Sequence, residues 1–293
     1  MIKIENTCAV ITTFSPNRNI VTNVKIISPQ VNKVFIINDS GDNNKKEWLE
    51  STFSDNENII LIHNIFNIGI AASLNVAIRA AEKSGYMWFI TFDDDTTIKT
   101  DSICRLMKEA NNSNIPQKEK NLFSLARPSH YRKDLKDNEL YEKMTTITSG
   151  CLFSASLFNS INGFDERFFI DMVDFDFCLR ARKNKSKVFI LNYIDMNHTL
   201  GNSQIIKFLG KNIESHSHPA FRLYYHYRNS IKFTSRHFTY FPKLVTKVWI
   251  MLLLTFIKIL LFDDKKIKKV KFIIIGLYHG LRSRYGKIPS SIT

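Results

Sequence analysis

The first 100 residues alternate between short apolar runs and longer helix-like segments, and this alternation limits the possible folds most strongly. Four apolar runs, each ending in polar or turn-forming residues, read as buried strands: residues 8–13 (CAVITT), 34–38 (VFIIN), 59–63 (IILIH) and 87–92 (MWFITF). The segment between the third and fourth runs has the spacing of one buried helix face, in Ile70, Leu74, Ala77, Ile78 and Ala81. Strands alternating with helices predict an α/β fold, with a Rossmann-like, mostly parallel sheet and flanking helices.

Acidic residues follow two of these predicted strands, where ligands of parallel sheets usually bind. Asp39 follows the second run, and Asp93, Asp94 and Asp95 follow the fourth. Adjacent carboxylates repel one another unless a cation neutralises them, and such carboxylates suit Mg²⁺ or Mn²⁺ bound together with phosphates. A solvated turn with helix-capping aspartates is the alternative, but the position at a strand end favours a metal site.

A second acidic group lies among large apolar residues between positions 169 and 177. It consists of Asp171, Asp174 and Asp176. A partly buried carboxylate in such surroundings can become more basic, as a general base requires. A helix N-terminus, where acids complement the helix dipole, would account for one of the three.

Net charge divides the chain into two regions. The whole sequence of 293 residues carries +14, and residues 222–293 alone hold fifteen Lys and Arg against two Asp, a net charge of +13. We therefore expect a near-neutral domain at residues 1–221 and a basic, helical region at residues 222–293.

The N-terminus lacks the layout of a secretory signal, which predicts a cytoplasmic protein. The scattered cysteines predict reduced thiols: Cys8, Cys104, Cys151 and Cys178.

Several motifs in order along residues 8–230 resemble the family 2 glycosyltransferases, especially the rhamnosyltransferase-like branch that builds O-antigens and capsules. They are VITTFSP, IINDSGDN, NIGIAASLN, FDDDT, the long segment from SGCLFSASLF to FDFCLRARKNK, then HTLG and YYHYRN. Each motif alone is weak, but their order and spacing together are specific. The resemblance implies a GT-A fold and an enzyme that uses a nucleotide-sugar donor.

The resemblance also implies roles for the residues of the donor pocket. Thr13, Phe14 and Asp39 would line the nucleobase pocket, with the aspartate accepting a hydrogen bond from a pyrimidine. Asn67 and Gly69 would let the backbone pass close to the nucleotide.

Metal and catalytic roles follow in the same way. Asp93 would contact the ribose or the metal, Asp94 would contact the donor, and Asp95 would be the principal ligand of Mg²⁺ or Mn²⁺. His198 matches a histidine that completes the metal shell in some members, although a histidine satisfied within a core is equally compatible. Asp174 occupies the position of the catalytic base, which implies single displacement with inversion at the anomeric carbon.

The expected reaction is transfer of one sugar, since the QxxRW string of processive synthases is absent. The branch implies L-rhamnose from dTDP-rhamnose and a polyprenyl-diphosphate-linked glycan acceptor. Val173 precedes the base, as in that branch, but Asp94 stands where the branch usually has glutamine. A UDP-hexose-dependent transferase is therefore an alternative, and a non-catalytic basic protein that binds membrane or nucleic acid is another.

The basic region pairs an apolar stretch with a lysine cluster. Residues 244–262 (LVTKVWIMLLLTFIKILLF) are interrupted by Lys247 and Lys258, and the cluster after them comprises Lys265, Lys266, Lys268, Lys269 and Lys271. This pattern predicts a helix lying on the anionic inner face of the membrane, as a peripheral contact. A helical bundle packed on the sheet is the alternative, and nucleic-acid binding is not expected.

The hydrophilic residues 202–218 are expected to close over substrate.

Overall fold

The computed structural model describes residues 1–126, 128–194, 196–198, 203–208, 211–216, 219–263 and 265–292. For residues 128, 194, 197–198, 203–208 and 211–216 it describes the backbone alone. The chain forms two compact units. The first comprises Met1–Phe169 and Val173–His198, and the second comprises Ile170–Met172 and Thr199–Thr293.

The first unit is built on a mixed sheet that has eight strands among the described residues, in the order β3-β2-β1-β4-β8-β6-β9-β7. Its strands are β1 (Thr7–Thr13), β2 (Lys33–Asn38), β3 (Ile59–His63), β4 (Trp88–Asp93), β6 (Leu122–Ala126), β7 (Leu140–Lys143), β8 (Cys151–Ser154) and β9 (Val188–Ile194). A smaller antiparallel pair joins β5 (Thr96–Ile98) to β10 (Met196–His198). The helices of this unit are α1 (Arg18–Ile27), α2 (Asn43–Phe53), α3 (Ile70–Lys83), α4 (Ser102–Asn112), α5 (Ala155–Ser160) and α6 (Val173–Lys183).

The four strands expected from the apolar runs are present to within one residue, and they pair in parallel as predicted. Every residue of β1 is buried, as expected of a central strand covered by helices on both faces. The predicted core positions of α3 are also buried, apart from Ile70, which is half-buried. The α/β fold is therefore confirmed, and the antiparallel strands β7 and β8 make the sheet mixed.

Residues 105–141 look polar and poorly patterned in sequence, but they contain most of α4, all of β6 and the beginning of β7. Helix α4 buries Ile103, Leu106, Met107 and Ala110, which recur at i, i+3, i+4 and i+7. Charged and amide side chains surround these four apolar residues, so the average hydropathy of the segment does not indicate a helix.

The parallel strands β1, β2 and β4 end at one edge of the sheet. Thr13, Asn38 and Asp93 are their last residues, with β1 between the other two. The chain runs from β1 to β2 and β3 on one side and returns to β4 on the other, so this edge has the crevice of a topological switch point.

The second unit contains an antiparallel hairpin and three helices in its described part. The hairpin is β11 (Ser203–Phe208) with β12 (Lys211–His216), and the helices are α7 (Ala220–His237), α8 (Pro242–Phe262) and α9 (Lys266–Leu281). This unit includes the hairpin, and the excess of basic charge starts at Arg222. The boundary expected after residue 221 stays a prediction. Residues 202–218, which are expected to close over substrate, form this hairpin where their backbone is described. Residues 202, 209–210 and 217–218 lie outside the described residues.

The helices of the second unit pack through a narrow apolar contact. Helix α8 buries Val245, Leu252 and Ile259, seven residues apart. Leu252 and Ile259 belong to a cluster that includes Leu223 of α7 and Ile273 of α9. Of the helices in the described residues, one, α8, is long and apolar enough to cross a bilayer. The core helix of a soluble protein can also meet this criterion. Only 17% of its most apolar 18-residue stretch is buried, so most of this apolar helix is exposed.

The lysine cluster proves not to be uniform. Lys265, Lys266, Lys268 and Lys271 are exposed, whereas Lys269 is 6% exposed and pairs with Asp263. The grouping of all five lysines as a membrane-contacting cluster is therefore wrong for Lys269, because its ammonium group is turned inward to a carboxylate.

Candidate active site

The first part of the site is a hydrogen-bonded bridge from β1 to the turn after β4. The hydroxyl of Thr13 donates to Oδ2 of Asp94 at 2.5 Å, and the amide of Asn23 on α1 donates to the Asp94 carbonyl at 2.8 Å. Burial raises the pKa of Asp94, the hydrogen bond from Thr13 opposes that increase, and the negative charge of Asp95 adds to it. The middle aspartate is therefore turned toward β1 and experiences its neighbour's charge.

The other two aspartates lie on a turn that is fixed through its backbone. The amide of Asp93 donates to Oγ of the fully buried Ser149 at 3.2 Å, and Ser149 Oγ lies 2.7 Å from Oγ1 of Thr96. Asp93 is half-buried and Asp95 is exposed. The side chain with the greatest access to a solvent-borne ion is thus that of Asp95.

The acidic turn fits a divalent cation that is shared with a phosphate ligand. Among the described residues, no group of three His, Cys, Asp or Glu side chains is arranged to hold a metal alone. Mg²⁺ is commonly held by one or two carboxylates, with substrate phosphates and waters completing its octahedron. The repulsion between Asp94 and Asp95 is of the kind that a bound cation relieves.

The backbone of His198 lies beside this turn. The last pair of the β5–β10 ladder places His198 opposite Thr96, the residue after Asp95. The sequence separation of a hundred residues gives no indication of this proximity. The side chain of His198, and hence its predicted metal contact, lies outside the part of the molecule that is described.

Asp39 holds the loop that precedes α3. Its carboxylate accepts hydrogen bonds from the backbone amides of Ile68 at 2.8 Å and Gly69 at 2.9 Å, and from the side-chain amide of Asn64 at 2.9 Å. Asp39 is 6% exposed. A carboxylate has about four lone-pair sites, so one remains for the predicted contact with a nucleobase. The structure thus adds a loop-fixing role to the role implied by the resemblance.

Gly69 allows a close approach by Phe169. Gly69 has φ +89° and ψ 159°, a conformation that is almost restricted to glycine. A Cβ there would lie 2.5 Å from the Phe169 ring and 2.6 Å from its carbonyl oxygen. The side chain of Asn67 accepts a hydrogen bond from the Gly69 amide at 3.0 Å. The group that leaves no room for a side chain at residue 69 is therefore Phe169 of the same chain. The predicted close approach of Gly69 to a nucleotide stays a prediction.

Gly69→Ala is expected to lower the free energy of unfolding by about 2–5 kcal/mol, because backbone strain and overpacking against Phe169 combine. Thermal and denaturant unfolding would measure this loss. Gly85→Ala is a matched control, since Gly85 also has positive φ but a Cβ there would meet no atom within 4 Å. Equal losses in the two variants would show that the contact with Phe169 is not decisive.

Phe14 presents an aromatic surface just after β1. The residue is 53% exposed, and the ammonium of Lys45 lies 5.1 Å from its ring centroid while donating to the Phe14 carbonyl at 3.1 Å. Thr13 beside it is 3% exposed. An exposed ring at the ligand edge of the sheet can stack on a base, so this geometry is compatible with the predicted nucleobase pocket.

The structure separates the three aspartates near α6. Asp176 is fully buried and accepts from Arg180 Nε at 2.7 Å. Asp171 is paired with Arg222 at 2.7 Å. Burial would raise the pKa of its carboxyl, but the charges and hydrogen bonds of His226 and Arg222 lower it to about 2. Asp174 is half-buried in the first turn of α6, where its Oδ1 accepts from the Phe175 amide at 2.9 Å. The side chains of Asp171 and Asp176 are 8% and 0% exposed, so the half-buried Asp174 is the accessible acid at the start of α6.

Three supporting residues were not singled out from the sequence: Asn23, Asn64 and Ser149. Asn23 has a signal in the sequence, because it lies beside Val24 on the buried face of α1, where an amide requires a partner. Asn64 and Ser149 lie in loops, where polar residues are ordinary, and no local pattern distinguishes them.

Comparison with known proteins supports the same class. The family model described as glycosyl transferase family 2 matches residues 10–161. The dTDP-rhamnosyl transferase RfbF of Shigella flexneri is 29% identical over 296 residues, covering 96% of this chain and 97% of that protein.

Two solved structures resemble the fold. TarS 1–349 of S. aureus in complex with UDP-GlcNAc has a TM-score of 0.54 at 14% identity, covering 96% of this chain and 93% of that one. GalNAc-T7 with UDP, GalNAc and Mn²⁺ has a TM-score of 0.53 at 12% identity, covering 67% of this chain and 44% of that one. At these identities the likeness concerns the fold alone.

The mostly parallel sheet and the two similar structures confirm the expected GT-A fold. The family match and the relative aligned along nearly the whole chain confirm the expected class, a nucleotide-sugar-dependent glycosyltransferase. The chain belongs to glycosyl transferase family 2. Its resemblance to the rhamnosyltransferase-like branch is likewise confirmed by the relative that aligns along nearly the whole chain.

Proposed function

We propose that this enzyme transfers one L-rhamnose from dTDP-rhamnose to a polyprenyl-diphosphate-linked glycan, with inversion, in the synthesis of a surface polysaccharide such as O-antigen. The observation that carries the donor assignment is the near full-length similarity to a dTDP-rhamnosyl transferase. UDP-GlcNAc in TarS, and UDP with GalNAc in GalNAc-T7, are ligands of chains of 12–14% identity, so they favour no donor here.

The donor pocket in this proposal is the edge formed by β1, β2 and β4. Phe14 would stack on the base, while Thr13 and the remaining lone pair of Asp39 would meet its polar edge. Asn67 and Gly69 would shape the loop beside the nucleotide. The hydrogen bonds from that loop to Asp39 support this arrangement, because they hold the loop in place before the donor arrives.

Asp95 and Asp93 would hold Mg²⁺ or Mn²⁺, with His198 as a further ligand. The bound ion would offset the negative charge that develops on the nucleoside diphosphate as it leaves. Asp94, turned toward Thr13, would tie the acidic turn to β1 and so set the distance between the base pocket and the diphosphate site.

Asp174 would accept the proton of the acceptor hydroxyl. As that proton leaves, the hydroxyl oxygen attacks the anomeric carbon and the bond from that carbon to the diphosphate breaks on the opposite side. This direct displacement inverts the configuration. The burial of the Asp171 and Asp176 side chains, 8% and 0% exposed, supports the choice of Asp174.

The enzyme would act at the cytoplasmic face of the membrane, where a lipid-linked acceptor is held. Two features of the second unit support this. Helix α8 leaves a large apolar surface uncovered, including Ile250, Leu254, Ile257 and Leu261, and four exposed lysines follow it at the start of α9. An apolar face combined with lysines is the composition of helices that lie in an anionic leaflet.

Asp95→Ala is expected to abolish metal-dependent donor binding while leaving the fold intact, because Asp95 is exposed. The measurement is the thermal shift produced by dTDP-rhamnose with and without Mn²⁺, since a bound donor stabilises the protein by mass action. Asp55→Ala, another exposed carboxylate of the first unit, is the control. A normal metal-dependent shift in the Asp95 variant would reject the acidic turn as the metal site.

The same thermal-shift measurement with a panel of nucleotide sugars tests the donor. The proposal expects the largest shift from dTDP-rhamnose, and a larger shift from a UDP-hexose would favour the alternative transferase. Hydrolysis or transfer of the preferred donor in the presence of Mn²⁺ separates either enzyme from a non-catalytic binding protein.

A further inference from the structure

The turn that precedes α6 has an unfavourable backbone conformation. Phe169, Asp171 and Met172 have φ values of 62°, 65° and 65°. None of them is a glycine, and residues with a Cβ rarely occupy this left-handed region. Such a conformation persists only where the surrounding structure holds it, and it occurs mainly at functional sites.

In the second unit, one face of α7 holds residues 170–172 of this turn. Arg222, His226 and Asn229 recur at i, i+4 and i+7 and so share a face of the helix. Arg222 Nη2 lies 2.7 Å and His226 Nε2 lies 3.2 Å from Oδ1 of Asp171. The side-chain amide of Asn229 donates to the carbonyls of Ile170 at 2.7 Å and Asp171 at 3.0 Å. The three helix residues therefore hold both the side chain and the backbone of the turn.

Asp171 is an anion in this arrangement. Its side chain is 8% exposed. Burial alone would raise its pKa, but the charges and hydrogen bonds of His226 and Arg222 outweigh burial and bring the pKa to about 2. The carboxylate is therefore ionised at neutral pH and serves as a fixed anchor.

Asn229 is itself held in one orientation. Its Oδ1 accepts from Arg228 Nε at 2.9 Å, and both residues are fully buried. The Arg228 guanidinium lies 4.8 Å from the ring centroid of Tyr225 and 5.4 Å from that of Tyr224. With its oxygen engaged by Arg228, the Asn229 amide nitrogen is directed at the carbonyls of the turn.

Residues 170–172 of the turn are joined by peptide bonds to residues of the first unit on both sides. Phe169, the residue before them, fills the space beside Gly69. Val173, after it, begins α6, and Asp174 is the second residue of that helix. Residues 170–172 therefore lead directly into α6, and Met172 is two residues before Asp174.

We propose that Asp171, Arg222, His226 and Asn229 are positioning residues that hold the left-handed turn and thereby place the carboxylate of Asp174. This inference rests on the proposed role of Asp174 as the base. The four residues act through the turn and need not touch substrate. A misplacement of about 1 Å can reduce a rate roughly 10²-fold, so a small change in the turn is expected to reduce kcat.

Asp171→Ala and Asp171→Gly form the central test. Both lose the ion pairs, but glycine adopts positive φ without a steric penalty whereas alanine does not. We expect Asp171→Ala to lower kcat about 10–100-fold with KM for dTDP-rhamnose within about twofold of wild type, and Asp171→Gly to recover part of that loss. Equal kcat values in the two variants would overturn the proposal.

A double-mutant cycle with Asp174→Asn tests whether the turn acts through the base. If it does, adding Asp171→Ala to Asp174→Asn should lower kcat little further, because the group being positioned has already lost its basicity. Multiplying losses would overturn the proposal by showing a separate role for the turn. If Asp174→Asn alone keeps normal turnover, the proposed base fails, and this result is distinct from a failure of the positioning role.

Arg222→Gln provides a milder variant in case the Asp171 variants do not fold. The Arg222 side chain is 42% exposed, and His226 would still face Asp171. We expect a severalfold loss of kcat at unchanged KM. Arg236→Gln removes a cation from the same helix, outside the three turn-holding residues, and is the control. A fall in melting temperature with unchanged kcat in the Arg222 variant would show a merely structural role.

Discussion

Asp174→Asn is expected to lower the turnover of sugar transfer by about 10²–10⁴ while donor affinity stays near that of the wild type. The amide keeps the shape of the side chain and can still accept from the Phe175 amide, so α6 should begin normally. It cannot take the proton of the acceptor hydroxyl. The effect should therefore appear in kcat for transfer and leave the donor-induced thermal shift unchanged.

Asp101→Asn is a matched control for this prediction. Asp101 is an exposed acid at the N-terminus of another helix, α4, so its replacement repeats any effect of lost charge on a helix dipole without touching the site. Near-normal turnover in Asp174→Asn would return the role of base to Asp171 or Asp176. Each of these would then have to leave its ion pair during the reaction, which a pH–rate profile would reveal.

Replacement of the four exposed lysines of the cluster by glutamine is expected to release the enzyme from anionic vesicles. Each lysine near an anionic leaflet contributes about 1 kcal/mol, so the loss should reach roughly 4 kcal/mol, or about a thousandfold in binding. The set is Lys265, Lys266, Lys268 and Lys271, and it omits the buried Lys269. Added salt should have the same effect through screening. Vesicle co-sedimentation measures binding, and turnover of a short soluble acceptor should stay unchanged.

Four exposed lysines of the first unit supply the control for net charge: Lys25, Lys83, Lys108 and Lys133. Their replacement by glutamine makes the same change in net charge and should leave vesicle binding nearly intact. If the variant of the α9 cluster stays bound at high salt, the exposed apolar face of α8 is inserted and dominates the binding. If the wild-type enzyme never binds vesicles, the membrane proposal is wrong.

The sequence predicted the half of the sheet that surrounds the donor edge and was less informative about the rest. Strands β1, β2 and β4 are continuous apolar runs because both faces of a central parallel strand are buried, whereas β3 is a half-buried edge strand. Helix α4 has apolar residues at the spacing of one buried helix face. Polar residues surround them, so the average hydropathy of residues 105–141 does not indicate a helix. The antiparallel strand β7 is only partly buried and so lacks a strong apolar signal.

The sequence by itself determined the fold class, the family, the acidic residues at the ends of β2 and β4, and the concentration of charge in the last 72 residues. These depend on local composition and order along the chain. Only the tertiary structure decided which acids near α6 are ion-paired, that Lys269 is turned inward, and that Phe169 fills the space at Gly69. The physical reason is that burial, and the charge pairing of Asp171, depend on partners distant in sequence: Asp171 meets Arg222 across 51 positions, a separation over which no local pattern records contact.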